Sequence, residues 1–268
     1  MRFLTTFLVL TACAVSHIAM AQSLPVASPP DSLAIPLRAI TPAGKPFLLR
    51  PGVWRVGLPM GLIAASYWGC NRNNVVHEMR EEVQEETKEL FPRGLHTHID
   101  DYSRHVPAVA AYALHLAGVQ SARGVIPFTI CHGLAHALST SIVSHLKKGA
   151  AVRRPDNPAD FSSFPSAHTA RAFMTATLLH EQFGQNSPWI SLGGYAVATA
   201  TGTLRVIHNR HWVTDVVAGA SIGFLSAELV WRAYPQVARF VPGKLGQKLV
   251  VVPTYLPGGA VGVAVAVK

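Results

Sequence analysis

Apolar residues recur at three- and four-residue intervals over most of this chain, and the breaks in that rhythm mark out its elements. Ala170, Phe173, Met174 and Leu178 make one apolar stripe and predict a helix over Ser166–Phe183. Further helices are expected near Val106–Val119, Val125–Lys148, Trp189–Ile207 and Trp212–Tyr234. Gly52 to Trp68 is a short apolar segment. Val75–Leu90 has the opposite character: Glu78, Glu81, Glu82, Glu85, Glu86 and Glu89 predict a helix with a solvated face, closed by Pro92. Asp100-Asp101 stands where it can cap the helix that follows. After Pro242 the rhythm changes. Lys248–Val252 and Ala260–Val267, separated by Pro257-Gly258-Gly259, predict a small β-hairpin. The expected class is therefore all-α, a helical bundle with a C-terminal hairpin.

A helix that crosses a membrane needs about 20 largely apolar residues. Val125–Val143 is interrupted by His132 and His136, Trp189–Ile207 carries Gly193, Gly194 and Arg205, and Trp212–Trp231 holds Asp215 and Glu228. Such helices suit the inside of a bundle, with embedding in a bilayer as the alternative. The run Gly219-Ala220-Ser221-Ile222-Gly223 permits close helix packing in either setting.

The first residues have the three parts of a secretory signal: Arg2, an apolar stretch, and the small-x-small site Ala19-Met20-Ala21. Leu10-Thr11-Ala12-Cys13 is a competing lipoprotein-type site that demands a shorter signal. Both readings export the protein, to the periplasm or cell envelope, with the inner membrane as the alternative. Residues 1–21 are thus read as signal, 22–50 as a Pro- and Ser-rich mobile leader, 51–240 as the helical domain, and 241–268 as an extension. Cys13 would leave with the signal. Cys70 and Cys131 are expected as buried free thiols, with a single bridge as the alternative.

Composition narrows the partners. Only 14% of the residues are charged, 49% are hydrophobic, and the net charge is +9. A basic, greasy chain suits an anionic substrate or an anionic membrane surface. The cations form no run and are not interleaved with aromatics, which excludes nucleic acid as a partner.

The chemistry is concentrated between Lys147 and Asp215. Three motifs stand there: Lys147 to Pro155 as K-x6-R-P through Arg154, Pro165-Ser166-Ala167-His168 as P-S-x-H, and Arg205 to Asp215 as R-x5-H-x3-D through His211. A phosphoryl group in transfer spreads charge over three equatorial oxygens that need cations and N–H donors, while attack and departure lie in line. Lys147, Arg154 and Arg205 supply the cations. His211 and Asp215 are one helical turn apart, so a carboxylate can fix one ring nitrogen and leave the other bare for attack. His211 is assigned as nucleophile, Asp215 as its orienter, and a phosphohistidine as the intermediate. Ser166 can cap the helix that begins there and also donate to a phosphate oxygen, and the helix N-terminus is itself an anion site.

These motifs resemble those of the type 2 phosphatidic acid phosphatase (PAP2) family, which includes bacterial acid phosphatases and shares its fold with vanadium haloperoxidases. The resemblance covers roughly residues 100–232. It implies a metal-independent phosphatase without a cofactor, in which His168 protonates the leaving alkoxide and then serves as base toward water. Where this chain has Ala167 the family usually has glycine, but the backbone N–H for oxyanion binding is retained. Leu204 replaces the serine that often precedes the third-motif arginine.

Two features near the motifs invite other readings. His132, His136, Thr140, Val143 and Lys147 recur at helical spacing, a partly polar stripe directed at the site. Two histidines four apart beside Cys131 suggest a metal, yet no third ligand follows at a recognised spacing, so core histidines near the site are expected. His96-Thr97-His98 reads as a loop. The expected substrates are phosphomonoesters, in particular lipid phosphates such as phosphatidic acid, a polyprenyl diphosphate or a lipid A phosphate. A broad-specificity periplasmic acid phosphatase and a vanadium haloperoxidase are the rivals within the fold. A non-catalytic envelope protein docking through the hairpin is the rival outside it, and the intact motif set argues against it.

Overall fold

In this computed structural model the described residues are 51–71, 74–92, 95, 97–238, 249–255 and 261–267. The expected signal (1–21), leader (22–50) and His96 lie outside them. Among the described residues the helices are α1 (Pro51–Trp68), α2 (Val75–Leu90), α3 (Ile99–Ser103), α4 (Val106–Leu116), α5 (Val125–Ala150), α6 (Ala167–Phe183), α7 (Pro188–Ile207) and α8 (Val213–Ala238). Strands Leu249–Tyr255 and Val261–Val267 pair antiparallel, with Leu249 opposite Val267.

The helix starts follow local chemistry. Asn74 accepts from the His77 amide at 2.9 Å to begin α2, Ser166 caps α6, and Ser187 with Pro188 begins α7. At the other end of α5, Ala151 closes the helix in the left-handed region with φ +44°, a position that favours glycine.

Helix α6 is the axis of the bundle. It is buried on nearly every side and packs against α8, α7, α4 and α5. Met174, Leu178 and Phe183 meet Phe128, Cys131 and Ala135 of α5, Ala111 of α4, and Ala227 and Trp231 of α8. Each large side chain so buried contributes on the order of 1.5–3 kcal/mol. The α6–α8 contact is made by backbone. A Cβ on Gly219 would lie 2.5 Å from the Ser166 carbonyl oxygen, and one on Gly223 would lie 2.1 Å from that of Ala170. The small-residue run therefore brings α8 against the first turns of α6.

Several expectations change. The apolar segment before Trp68 is a full helix, α1, packed on α8. Helix α4 stops at Leu116 rather than Val119, because Gly118 turns the chain at φ +71°. Asp100-Asp101 is not a cap. Both residues lie within α3, while His105 occupies the cap of α4 without a side-chain bond. The polar stripe on α5 is also displaced. The buried row is Phe128, Cys131, Ala135, Ser139 and Val143, since small side chains let α5 approach its neighbours, and Thr140 is exposed. His132 and His136 flank that row. Cys131 is a buried free thiol and Cys70 a half-buried one. On α2 the glutamates face outward, but Arg80, Val83, Gln84 and Thr87 form a buried face.

Among the described residues, two helices are long and apolar enough to cross a membrane, Val125–Ala150 and Val213–Gln236.

Candidate active site

The third motif bends between α7 and α8. Asn209 adopts a left-handed conformation with φ +59°, and the amides of Arg210 and His211 both close on the Arg205 carbonyl. That turn presents His211 beside Asp215 at the start of α8. His211 is 2% exposed and Asp215 fully buried, and Nδ1 of the ring lies 3.5 Å from Asp215 Oδ2. The carboxylate is held from elsewhere: Ser163 Oγ donates to Oδ2 at 2.5 Å, and the Trp212 amide donates to it at 3.0 Å. Nδ1 faces the carboxylate and Nε2 points away from it. Burial favours the neutral ring, opposed by the Asp215 carboxylate.

The second motif joins this group through the backbone. The Ser166 amide donates to the Asp215 carbonyl at 3.0 Å, directly after the cis Phe164–Pro165 bond. Ser166 Oγ accepts from Thr169 Oγ1 at 2.9 Å, so its own hydroxyl hydrogen remains to donate. Ala167 is the first residue of α6, where amides have no intrahelical acceptor.

Each motif cation is aimed by a neighbour. Lys147 Nζ donates to the Ser162 carbonyl and, at 3.3 Å, to that of Ser163. Arg154 binds Ser162 Oγ at 3.1 Å through Nη2 and Asp160 at 2.9 Å through Nε. The loop carrying Ser162 and Ser163 thus ties both first-motif cations to the Asp215 carboxylate. Arg205 Nη1 donates to Asp100 Oδ2 at 2.5 Å, while its buried Nε makes no hydrogen bond among the described residues. Asp100 is 2% exposed. Burial pushes its carboxyl up, but the hydrogen bond and charge of Arg205, together with His208, hold it below the usual range.

His168 stands on the first turn of α6 with Nε2 at 2.8 Å from both Asp101 Oδ1 and Arg104 Nη1. A neutral Nε2 either donates to the carboxylate or accepts from the guanidinium, never both. Burial, then the charge of Arg205, push the ring down to about 4, against the upward pull of Asp101. Asp100, Asp101 and His168 have ligand atoms within 4.8 Å of one another, the spacing of a metal site. Arg205 and Arg104 donate into this same group, so cationic side chains already supply the charge that a metal would bring.

The structure thus brings Lys147, Arg154, Ser166, His211 and Asp215 into one network, which Arg205 joins through its carbonyl under the His211 amide, and Arg205 in turn acts electrostatically on His168. Sequence reasoning missed Ser163, Asp100, Asp101 and Arg104 as members of it. It also missed Arg80, whose guanidinium carbon lies 4.6 Å from the Trp212 ring centroid, next to His211. Only Asp100-Asp101 gave a signal, as an acidic pair in an otherwise charge-poor chain.

Residues 128–239 match the model of the PAP2 superfamily. The chain is 36% identical over 169 residues to a lipid A 1-phosphatase of Porphyromonas gingivalis, a match covering 63% of this chain and 36% of the relative. The chain therefore corresponds to about a third of that relative's length. Among solved structures, a transmembrane PAP2-type phosphatidylglycerolphosphate phosphatase of Bacillus subtilis aligns with a TM-score of 0.49 at 19% identity, over 70% of this chain and 99% of the other.

Proposed function

With residues 128–239 belonging to the PAP2 superfamily, we propose that this protein is a lipid phosphatase that works without a metal, through a phosphohistidine on His211. The observation that carries this is the junction at Asp215. Its carboxylate takes Ser163 from the loop between the first two motifs, its carbonyl takes the Ser166 amide, and its Oδ2 faces His211. In the reaction His211 Nε2 attacks phosphorus in line, and Lys147, Arg154, Arg205 and the first-turn amides of α6 hold the equatorial oxygens. His168 gives a proton to the leaving oxygen and then takes one from the water that cleaves the phosphorus–nitrogen bond.

A lipid substrate is supported by the outside of the bundle. Trp54 and Met60 on α1, Val109 and Leu116 on α4, Leu134 on α5 and Trp189 on α7 are all exposed. Apolar surface on this scale suits contact with a bilayer. Helices α5 and α8 cross it, and the protein works in the cell envelope after export. The name of the Porphyromonas gingivalis relative favours a lipid phosphate over a soluble one.

The test is phosphate release in EDTA from micellar lipid phosphate and from a soluble aryl phosphate, followed by acid–alkali analysis of the trapped enzyme. Label that survives alkali, is lost in acid and is absent from His211→Ala supports the reading. A reaction abolished by EDTA, or label retained in that variant, overturns it.

A further inference from the structure

The three motif cations are not the only ones beside the reacting centre. Arg104 Nη1 lies 2.8 Å from His168 Nε2, and its Nε donates to His105 Nε2 at 3.1 Å. Arg171, one turn along α6 from His168, is half-buried, and its Nε is buried without a hydrogen bond among the described residues. Thr175, on the next turn, bonds both the Arg104 carbonyl at 3.3 Å and the Arg171 carbonyl at 3.1 Å, which fixes the two segments together. His105 lies within electrostatic reach of both guanidiniums, and His136 within reach of Arg171. Of the nearby carboxylates, Asp100 is engaged by Arg205, and Asp101 bonds His168 and lies within electrostatic reach of Arg104. No carboxylate is among the charges that act on Arg171, so the positive charge on this side of His168 is only partly compensated.

That side has a chemical meaning. If His168 protonates the leaving oxygen, groups next to it and away from His211 face the leaving group. We propose that Arg104 and Arg171, flanked by His105 and His136, form a second anion subsite that binds a negatively charged leaving group. The inference rests on the phosphatase reading above and specifies its substrate: a lipid whose scissile phosphate is followed closely by another anion. A lipid diphosphate is the simplest case, and a headgroup bearing a separate phosphate is the other. In the first case the His211–phosphorus bond forms as the bond from terminal phosphorus to the bridging oxygen breaks. That oxygen takes its proton from His168, and a lipid monophosphate departs with its charge held by the two arginines.

The test uses the full-length protein in detergent. Pyrophosphate and orthophosphate are compared as ligands by calorimetry, and a prenyl diphosphate is compared with the corresponding monophosphate as substrates. The wild type is expected to bind pyrophosphate at least tenfold more tightly than orthophosphate, with Arg171→Met and Arg104→Met each cutting that ratio about tenfold. Arg171→Lys, which keeps the charge, restores part of the ratio and guards against a folding defect in the methionine variant. A diphosphate preference in turnover marks an anhydride substrate. A preference seen only with a headgroup bearing a separate phosphate marks the other source. Equal binding of the two ions by the wild type, or a ratio untouched in both methionine variants, overturns the subsite. Calorimetry answers this even if no substrate is turned over, an outcome that counts against the phosphatase reading alone.

Discussion

Arg205 Nη1 meets Asp100 Oδ2 at 2.5 Å across 105 positions of sequence, and the buried carboxylate fixes which edge of the guanidinium is spent. Asp100→Asn keeps the shape and removes the charge that orients Arg205. A loss of about 10²-fold in kcat/KM is expected, the scale of one misplaced oxyanion donor. Steady-state kinetics on micellar lipid phosphate check it, and unchanged kinetics would show that Arg205 is aimed by something else.

Ser163 is the second unannounced partner. Ser163→Ala leaves Asp215 Oδ2 with only the Trp212 amide and His211. About 1–3 kcal/mol of stability should be lost for the buried acceptor left short, with kcat falling by roughly tenfold. Thermal melting and the yield of labelled phosphohistidine read the two effects separately.

His168 gives a pH prediction whose sign follows from its surroundings. With the ring pushed down to about 4, it is neutral at pH 7, and its acid form grows as pH falls. If that form donates to the leaving group, kcat/KM rises as pH drops from neutrality towards 5. Asp101 pulls the ring upward, so Asp101→Asn must lower the titration further, which NMR of the ring protons can follow. An alkaline optimum with no response to Asp101→Asn contradicts the acid role.

Two glycines on different helices separate packing from propensity. Gly223→Ala sets a methyl 2.1 Å from the Ala170 carbonyl oxygen and should cost about 1–3 kcal/mol or more. Gly133→Ala on α5 meets nothing within 4 Å and should gain roughly 0.5–1 kcal/mol. Melting curves that rank the two alike would mean that the α6–α8 contact is looser than described.

Ala151→Gly relieves a left-handed alanine at the end of α5 and should stabilise by about 1 kcal/mol. Chemical denaturation checks the shift. A destabilised variant would mean that the loss of unfolded-chain restriction outweighs the relief of strain.

How much of this was legible beforehand depended on distance in sequence. His211 and Asp215 share a helix start, and a four-residue spacing is enough to pair them. Lys147, Arg154 and His168 fall in motifs whose order implies a common site. Ser163, Asp100, Asp101 and Arg104 act across 52 to 105 residues, and no local spacing reveals such partners. Arg80 was hidden differently. The glutamates of α2 declare an exposed helix, yet an amphipathic helix has a second face, and the arginine on it is buried over Trp212. The α5 stripe failed by one position, because cysteine, alanine and serine allow closer approach than the neighbouring histidines do.

The bare contact between α6 and α8 has a consequence for how this protein can change. His168 rides on the first helix and His211 on the turn entering the second, and main chain touching main chain gauges the gap between them. Such a ruler has no rotamers to drift. The outer helices can therefore be re-dressed for a thicker bilayer, a bulkier acyl chain or open water while the span between His168 and His211 stays as it was.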